Sequence, residues 1–330
     1  MATTILSGAA FGAALLAAGF HQPVAIISQL RLENFHMVQA FITATASSAI
    51  LYPVLERTGL VPRLQPRSCS PLLGFVTSYD GNILGGAMLG AGMALASSCP
   101  GTLLVQAAVG VRAGFFALAG SIVGGILWSG VLRQAIKSQA ERKGVQIYVS
   151  TFQDKTGVSR EAMLVLFETL CFAVVGGAAT FTDQVPWAVY PGFISGLFIG
   201  GAQLFSLLTR KSMMGISGSY EEVGNYTAWV LRGAPSESRP AGYKNIIFGA
   251  SAVLGAWALK FAAPQLVPEP IGAVPNDLAF LGGVLMTVGS RMAGGCTSGH
   301  GISGLSLMSM SSLVTIASTF VGGIFVASLL

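Results

Sequence analysis

Long apolar segments are the feature that most constrains this chain. Nine stretches of about 20 mostly apolar residues alternate with shorter polar ones, and a helix of that length crosses ~30 Å of hydrocarbon. They lie near 2–20, 35–54, 73–95, 112–132, 161–181, 187–209, 244–264, 272–292 and 307–329. The sequence therefore predicts an all-α polytopic membrane protein of about nine transmembrane helices, with the lipid bilayer as its surroundings.

The composition disfavours the soluble classes of protein. Only 9% of the 330 residues are charged and 52% are hydrophobic, whereas soluble domains carry about 25% charged residues. Four scattered cysteines do not suit a disulfide framework. The net charge of +5 is explained by membrane topology, because basic residues collect in cytoplasmic loops. No nucleic-acid partner is expected.

The basic residues also predict the orientation of the chain. With nine spans, 14 of the 18 Lys and Arg residues fall in loops on the side of the N-terminus. The positive-inside rule then places the N-terminus in the cytoplasm and the C-terminus outside, in a plasma-membrane protein. Residues 2–20 lack the basic start and cleavage site of a secretory signal, so they are interpreted as a retained first span.

An internal repeat divides the chain into two halves. A Leu-Gly-Gly triplet begins at Leu84, 15 residues before Cys99, and another begins at Leu281, 15 residues before Cys296. The predicted parts are repeat 1 (about 1–133), a charged loop (134–160), a connector span (161–181) and repeat 2 (about 187–330). The odd connector span inverts the second repeat, and such a fold places a substrate site at the repeat interface near the midplane.

Four interruptions break the apolar pattern without being long enough to form soluble loops. They are 21–34, 96–110, 211–226 and 293–306. Irregular backbone at membrane depth persists only where protein or a water-filled cavity satisfies its polar groups. The interruptions are therefore predicted to be re-entrant loops with short helices, which together form a constricted path.

The second interruption contains Ser98, Cys99, Pro100, Gly101 and Thr102. Proline is favoured at the first position of a helix, so Pro100 is predicted to begin a short helix with Cys99 as its N-cap. Free N–H groups and the positive end of the helix dipole would then face the thiol. Such a position either stabilises a thiolate or binds an anion. The alternative is a packing cysteine in a tight turn.

The fourth interruption is richer in glycine and hydroxyl groups. Its candidate residues are Gly294, Gly295, Cys296, Thr297, Ser298, Gly299 and His300. Paired glycines suit an anion-binding nest of N–H groups, and His300 is either a donor or a capping residue. Arg291 lies inside an apolar span, where a charge indicates a functional site unless it reaches the membrane surface.

The remaining candidates for the substrate path are polar or sulfur-containing side chains of the first and third interruptions. They are His21, Gln22, Lys211, Met213, Met214, Ser217 and Ser219. The sequence contains no phosphate-binding loop, HExxH motif or pair of intramembrane carboxylates. We therefore predict neither a catalytic site nor a metal or cofactor site.

The segments SSCPGT at 97–102 and GSRMAGGCTSGHGISG at 289–304 resemble those of the YeeE/YedE family of sulfur-transport membrane proteins. The resemblance implies an hourglass-shaped protein that takes up thiosulfate, with Cys99 and Cys296 passing the anion inward through transient S–H···S hydrogen bonds. Family members also have a cysteine in the first re-entrant region. Residues 21–34 contain none, and His21 and Gln22 are the hydrogen-bond donors expected in its place.

The chemistry of these residues agrees with a sulfur-anion substrate but leaves two other functions open. Glycine-rich nests supply N–H donors for the oxygens of a small inorganic sulfur anion, and neutral thiols supply weak donors for its sulfur. One alternative is a general small-solute channel with structural cysteines. Another is a membrane sulfurtransferase or sulfur-delivery protein that uses Cys296 covalently. The sequence predicts no particular oligomeric state.

Overall fold

A computed structural model describes residues 1–70, 78–145, 147–183, 185–272 and 274–330. Within these ranges the regular structure is helical, and the extended residues form only isolated bridges. The prediction of an all-α protein is thereby confirmed.

The helices follow the apolar segments closely. In the first half they are α1 (Ala2–Ala17), α2 (Pro23–Leu30), α3 (His36–Arg57), α4 (Asp80–Ala96), α5 (Thr102–Val109), α6 (Arg112–Leu127), α7 (Arg133–Arg142), α8 (Phe152–Thr156) and α9 (Arg160–Thr180). In the second half they are α10 (Gly192–Arg210), α11 (Ser217–Leu231), α12 (Lys244–Ala262), α13 (Asn276–Met292) and α14 (Met310–Ala327). One π-helical segment joins α6 to α7 and another, Ser298–Gly304, precedes α14; two 3-10 turns flank α12.

Six of these helices are long and apolar enough to cross a membrane. They are α3, the continuous α6–α7 rod, α9, α10, α12 and α14. The helices α1, α4 and α13 occupy the other three predicted spans and have 16 or 17 residues each. The chain is thus a multi-pass membrane protein, and the count of nine spans stays a prediction. Residues 73–77 of the predicted third span lie outside the described ranges.

The charged stretch 134–160 differs from the expected loop. The sixth helix does not end at the apolar boundary but continues as α7 through Arg142. Its residues Gln, Ala, Lys and Glu favour helix, and Lys137 lies 3.8 Å from Glu141 one turn later. The chain then returns to the bundle, where Thr151 bridges to Ser309.

Glycine allows the backbones of neighbouring helices to come into direct contact. A Cβ added at Gly12 of α1 would lie 1.9 Å from the carbonyl oxygen of Ala252 in α12, and one at Gly90 of α4 would lie 1.9 Å from that of Thr319 in α14. Close approach through small residues is a usual means of helix association in membranes.

The glycine contacts also give the relative directions of the helices. Gly8 faces Phe248 and Gly12 faces Ala252, so the residue numbers rise together and α1 runs parallel to α12. The same holds for α3 with α10, for α6 with α13 and for α4 with α14, whereas α4 and α13 run antiparallel. Each of these pairs joins a helix of the first half to one of the second, so the halves pack against a common centre.

Three of the four predicted interruptions contain a short or irregular helical segment. The helices α2 and α5 have eight residues each, and the fourth interruption contains the π-helical segment. The third differs in length, because α11 begins at Ser217 and continues to Leu231, beyond the predicted limit of 226. The segments that precede α5, α11 and the π-helical turn lead into the centre of the bundle.

Candidate functional site

The Cys99 thiol lies at the N-terminus of α5. The Thr102 amide donates to Cys99 Sγ at 3.4 Å, and the Cys99 amide donates to Thr102 Oγ1 at 2.7 Å. The helix begins at Thr102 and not at Pro100 as the sequence predicts, and Pro100 and Gly101 form the preceding turn. The expected contact between the thiol and a helix N–H is present, two residues further along. Ser98 is buried beside it, with its Oγ 3.1 Å from Thr102 Oγ1.

The Cys296 thiol lies where two helical segments begin. Its Sγ is 3.3 Å from Ser298 Oγ, and the side chain is 1% exposed. Backbone amides of Gly299, Ile216 and Ser217 are directed at the sulfur. Gly299 belongs to the π-helical segment and Ser217 begins α11. Cys296 is therefore surrounded by N–H donors from two different parts of the chain.

The two cysteine segments meet in the centre of the protein. The Thr297 hydroxyl lies close to the Cys99 thiol. Tyr220 of α11 lies close to both cysteines and donates its hydroxyl to the Pro100 carbonyl at 2.6 Å. Cys99, Cys296, Thr297, Tyr220 and the amides around the two thiols are called the thiol site below.

Glycine is required in the Cys296 loop for a physical reason at two positions. Gly294 has a φ of +84°, a conformation that side chains disfavour. A Cβ added at Gly295 would lie 2.9 Å from the ring of His300 and 3.1 Å from the guanidinium of Arg67. The loop can therefore pass between these two side chains only as glycine.

The two ring nitrogens of His300 bond two different segments, the Cys296 loop and α14. Its Nε2 lies 3.1 Å from the Ala293 carbonyl oxygen and its Nδ1 lies 2.9 Å from Ser312 Oγ. The ring is fully buried, so in this arrangement His300 connects the Cys296 loop to α14 and directs neither nitrogen at a thiol.

Arg67 is a site residue that the sequence pattern does not reveal. Its Nε donates to the Gly299 carbonyl and its Nη1 to the Gly294 carbonyl, each at 2.8 Å. Within the described ranges it forms no ion pair with a carboxylate. In the sequence Arg67 is one of several basic residues in a polar loop, and only the fold places it beside Cys296.

Arg291 lies near the thiol site. Its guanidinium forms an ion pair with Glu221, and its Nη1 is 3.5 Å from Ser217 Oγ. Glu221 also lies 3.4 Å from Arg133. The carboxylate of Glu221 thus offsets charge from two arginines, whereas Arg67 has no carboxylate partner in the part of the chain that the structure describes.

The family of the chain is decided by comparison with known proteins. A family described as sulphur transport matches residues 17–325. The chain belongs to this family. It is 23% identical, over 94% of its own length and 93% of the relative's, to the thiosulfate transporter TsuA of Spirochaeta thermophila. Two probable transporters from strains of Xylella fastidiosa are 31% and 32% identical over 42% of this chain and 92% of theirs. The resemblance drawn from the two cysteine segments is confirmed.

In the first interruption, which is predicted to be re-entrant, the polar side chains form hydrogen bonds to another segment of the chain. His21 Nε2 lies 2.9 Å from the Pro268 carbonyl oxygen, and Gln22 bonds the carbonyl of Glu269 and the amide of Ile271. Both side chains are fully buried. In this arrangement they support the segment before α13, and their role as substitutes for a first-loop cysteine stays a proposal.

The candidates of the third interruption divide between the thiol site and its supports. Ser217 contributes its amide to Cys296, and the Met214 amide donates to Gln203 Oε1 at 3.1 Å. Lys211 is further out, where its Nζ donates to the Leu60 carbonyl at 2.6 Å. Ser219 packs against Gly249 of α12, and Met213 lines a cavity beside Arg67.

Proposed function

We propose that this protein transports thiosulfate or a related inorganic sulfur anion through the thiol site. Its membership of the sulphur transport family and its similarity to a thiosulfate transporter support a sulfur-anion substrate. The observation that carries the proposal is the meeting of Cys99 and Cys296 beside the N-termini of α5, α11 and the π-helical segment.

The donors of the thiol site match the chemistry of thiosulfate. The anion has oxygens that accept strong hydrogen bonds and a terminal sulfur that accepts weak ones. Backbone N–H groups and the hydroxyls of Thr297 and Ser298 suit the oxygens, and helix N-termini stabilise the negative charge. The thiols of Cys99 and Cys296 suit the sulfur.

Weak binding at each step is a requirement of conduction. A path must hold an ion well enough to admit it and loosely enough to release it. Neutral thiols meet this condition because S–H groups are weak donors. In the proposed mechanism the anion passes between Cys99 and Cys296 while its oxygens exchange one set of N–H groups for another, and no covalent bond forms.

The arrangement of the helices supports the predicted repeats. We propose that repeat 1 and repeat 2 are inverted, with the thiol site at their interface. In support, helices of the first half pair with helices of the second, and both cysteines follow glycine-rich helices that are antiparallel to each other, α4 and α13. Each repeat then contributes one cysteine to the same site.

Uptake into membrane vesicles tests the proposed substrate. Vesicles that contain the protein are expected to accumulate radiolabelled thiosulfate faster than empty vesicles, with unlabelled thiosulfate competing better than sulfate. Equal uptake by the two preparations would contradict the proposal. A persulfide on Cys296 after turnover, detected by mass spectrometry of the intact peptide, would instead favour covalent sulfur transfer.

A further inference from the structure

The cavity beside Arg67 lies next to the thiol site, at the end of the bundle where α6 continues into α7. It has a volume of about 590 Å³ and is bounded by the segment 65–70, the junction of α6 with α7 and the end of α13. Its described lining includes Arg67, Arg133, Lys137 and Arg291 and no acidic side chain. We call this cavity the basic vestibule.

The positive charge of the basic vestibule is only partly offset. Glu221 pairs with Arg291 and lies 3.4 Å from Arg133, and Glu141 lies 3.8 Å from Lys137. The side chains of Arg133 and Lys137 are 56% and 76% exposed in these pairs, and exposed ion pairs contribute little. Both side chains therefore remain able to bind an anion, and among the described residues Arg67 donates to the carbonyls of Gly294 and Gly299 and forms no ion pair.

Two buried N–H groups at the vestibule have no acceptor. Trp128 lines the cavity and is 7% exposed, and its indole N–H has no partner among the described residues. The same is true of Arg291 Nε. A buried donor without an acceptor is unfavourable, and a ligand composed only of acceptors could satisfy it. Inorganic oxyanions are ligands of this kind.

We propose that the basic vestibule is a second anion-binding site, which takes a divalent inorganic oxyanion of the sulfate and thiosulfate class. Only its place in transport depends on the proposed function, since binding itself requires no movement through the thiol site. Its volume far exceeds the ~30 Å³ of one water molecule, so the anion keeps part of its hydration and exchanges quickly.

Two arginines connect the vestibule to the thiol site. Arg67 lines the cavity and bonds the carbonyls of Gly294 and Gly299 on either side of Cys296. Arg291 lines it as well and contacts Ser217, whose amide faces the Cys296 thiol. An oxyanion adds a charge–charge attraction to the guanidinium that a neutral carbonyl lacks, and paired N–H groups suit its oxygens. An oxyanion in the vestibule is therefore bound beside the loop that holds Cys296.

Equilibrium binding of radiolabelled sulfate and thiosulfate to the purified full-length protein tests the site. The double variant Arg133→Gln/Lys137→Gln removes two charges that line the vestibule, and Arg57→Gln/Arg63→Gln removes two from neighbouring residues that do not line it. We expect the first pair to raise the Kd for both anions at least tenfold and the second to change it less than twofold. All four side chains lie in polar segments, so folding is preserved, which a thermal unfolding scan checks.

A third variant separates this proposal from the transport function. Cys99→Ala/Cys296→Ala is expected to lose thiosulfate uptake and to keep sulfate binding that depends on Arg133 and Lys137. Native-like binding by Arg133→Gln/Lys137→Gln would overturn the proposal, and so would loss of all anion binding in the cysteine variant. If the protein moves no thiosulfate but the charge-dependent binding persists, the proposed function fails and the vestibule site stands.

Discussion

Arg67 combines a charge with two structural hydrogen bonds at one position. Its guanidinium donates hydrogen bonds of 2.8 Å to the Gly294 and Gly299 carbonyl oxygens. These bonds fix the loop around Cys296. Its main-chain oxygen accepts hydrogen bonds from Ser309 and Ser311 at the start of α14. The same residue therefore positions the loop and presents a positive charge to the anion.

Replacing Arg67 is expected to reduce transport. Arg67→Gln removes a charge-assisted hydrogen bond of about 1.5–3 kcal/mol, so the rate of thiosulfate uptake should fall at least tenfold. Arg67→Lys keeps the charge and loses the planar guanidinium. Its uptake rate should lie between those of the native protein and Arg67→Gln. Initial rates in vesicles with matched amounts of protein give the measurement.

Arg63→Gln is the matched control for this prediction, since Arg63 lies in the same loop and does not line the basic vestibule. Its uptake should equal that of the native protein. Equal rates for Arg67→Gln and Arg63→Gln would show that the position of Arg67 beside Cys296 has no functional effect.

How far the sequence predicts the site depends on the kind of signal each residue leaves. Cys99 and Cys296 were predicted because a repeat places them at equal distances from matching triplets, and Arg291 because charge inside an apolar span is rare. Arg67 and Tyr220 leave no such signal, since a loop arginine and a helix tyrosine are ordinary. Their roles arise from contacts between distant parts of the chain, which a pattern along it does not contain.

At the scale of the helices, glycine determines which elements pack closely. The α4–α14 contact places Gly90 against the Thr319 carbonyl with no space for a side chain. Gly201 of α10, by contrast, has no neighbouring atom within 4 Å of an added Cβ. An alanine side chain would therefore clash at Gly90 and fit without a clash at Gly201.

Gly90→Ala is expected to destabilise the protein, because overpacking costs about 1–3 kcal/mol and the contacted atom is a backbone oxygen. The measurement is the apparent Tm of the protein in a mild detergent, which should decrease by several degrees. Gly201→Ala should leave the Tm unchanged or raise it, since alanine is the better helix former. A Tm for Gly90→Ala at or above the native value would contradict the packing.

The sequence predicts the helices well where a long apolar segment marks their bounds, and less well where their ends are polar. The nine segments correspond to observed helices within a few residues over most of their length. The α6–α7 rod and the extension of α11 to Leu231 were missed, because their polar ends carry no apolar signal. Their helical form depends on local propensity and on contacts such as the ion pair of Arg133 with Glu221 and the hydrogen bond from the Trp229 indole to the Pro235 carbonyl.

At the scale of the whole molecule, the predicted orientation places the polar loops and the basic vestibule in the cytoplasm. The vestibule would then lie at the inner end of the path, and an anion would pass Cys99 before Cys296. Charge distribution supports this direction, because the loops around residues 57–67 and 133–160 contain most of the basic residues of the first half.

Reporter fusions check this orientation. Alkaline phosphatase, which is active only outside the cytoplasm, is expected to be active when fused after Leu330 and inactive when fused after Arg142. A fluorescent protein that folds only in the cytoplasm should give the opposite pair of results. Active phosphatase after Arg142 would reverse the orientation and make the basic vestibule the outer opening.

If Cys99 and Cys296 together carry the anion, uptake of radiolabelled thiosulfate depends on both thiols, and variants that replace one cysteine at a time test this. Cys99→Ala and Cys296→Ala should each reduce the initial rate at least tenfold, since each removes a donor that the passing sulfur requires. Cys171→Ala, a buried cysteine of α9 outside the thiol site, should transport at the native rate. Native uptake by both Cys99→Ala and Cys296→Ala, at native protein levels, would show that the anion passes without either thiol.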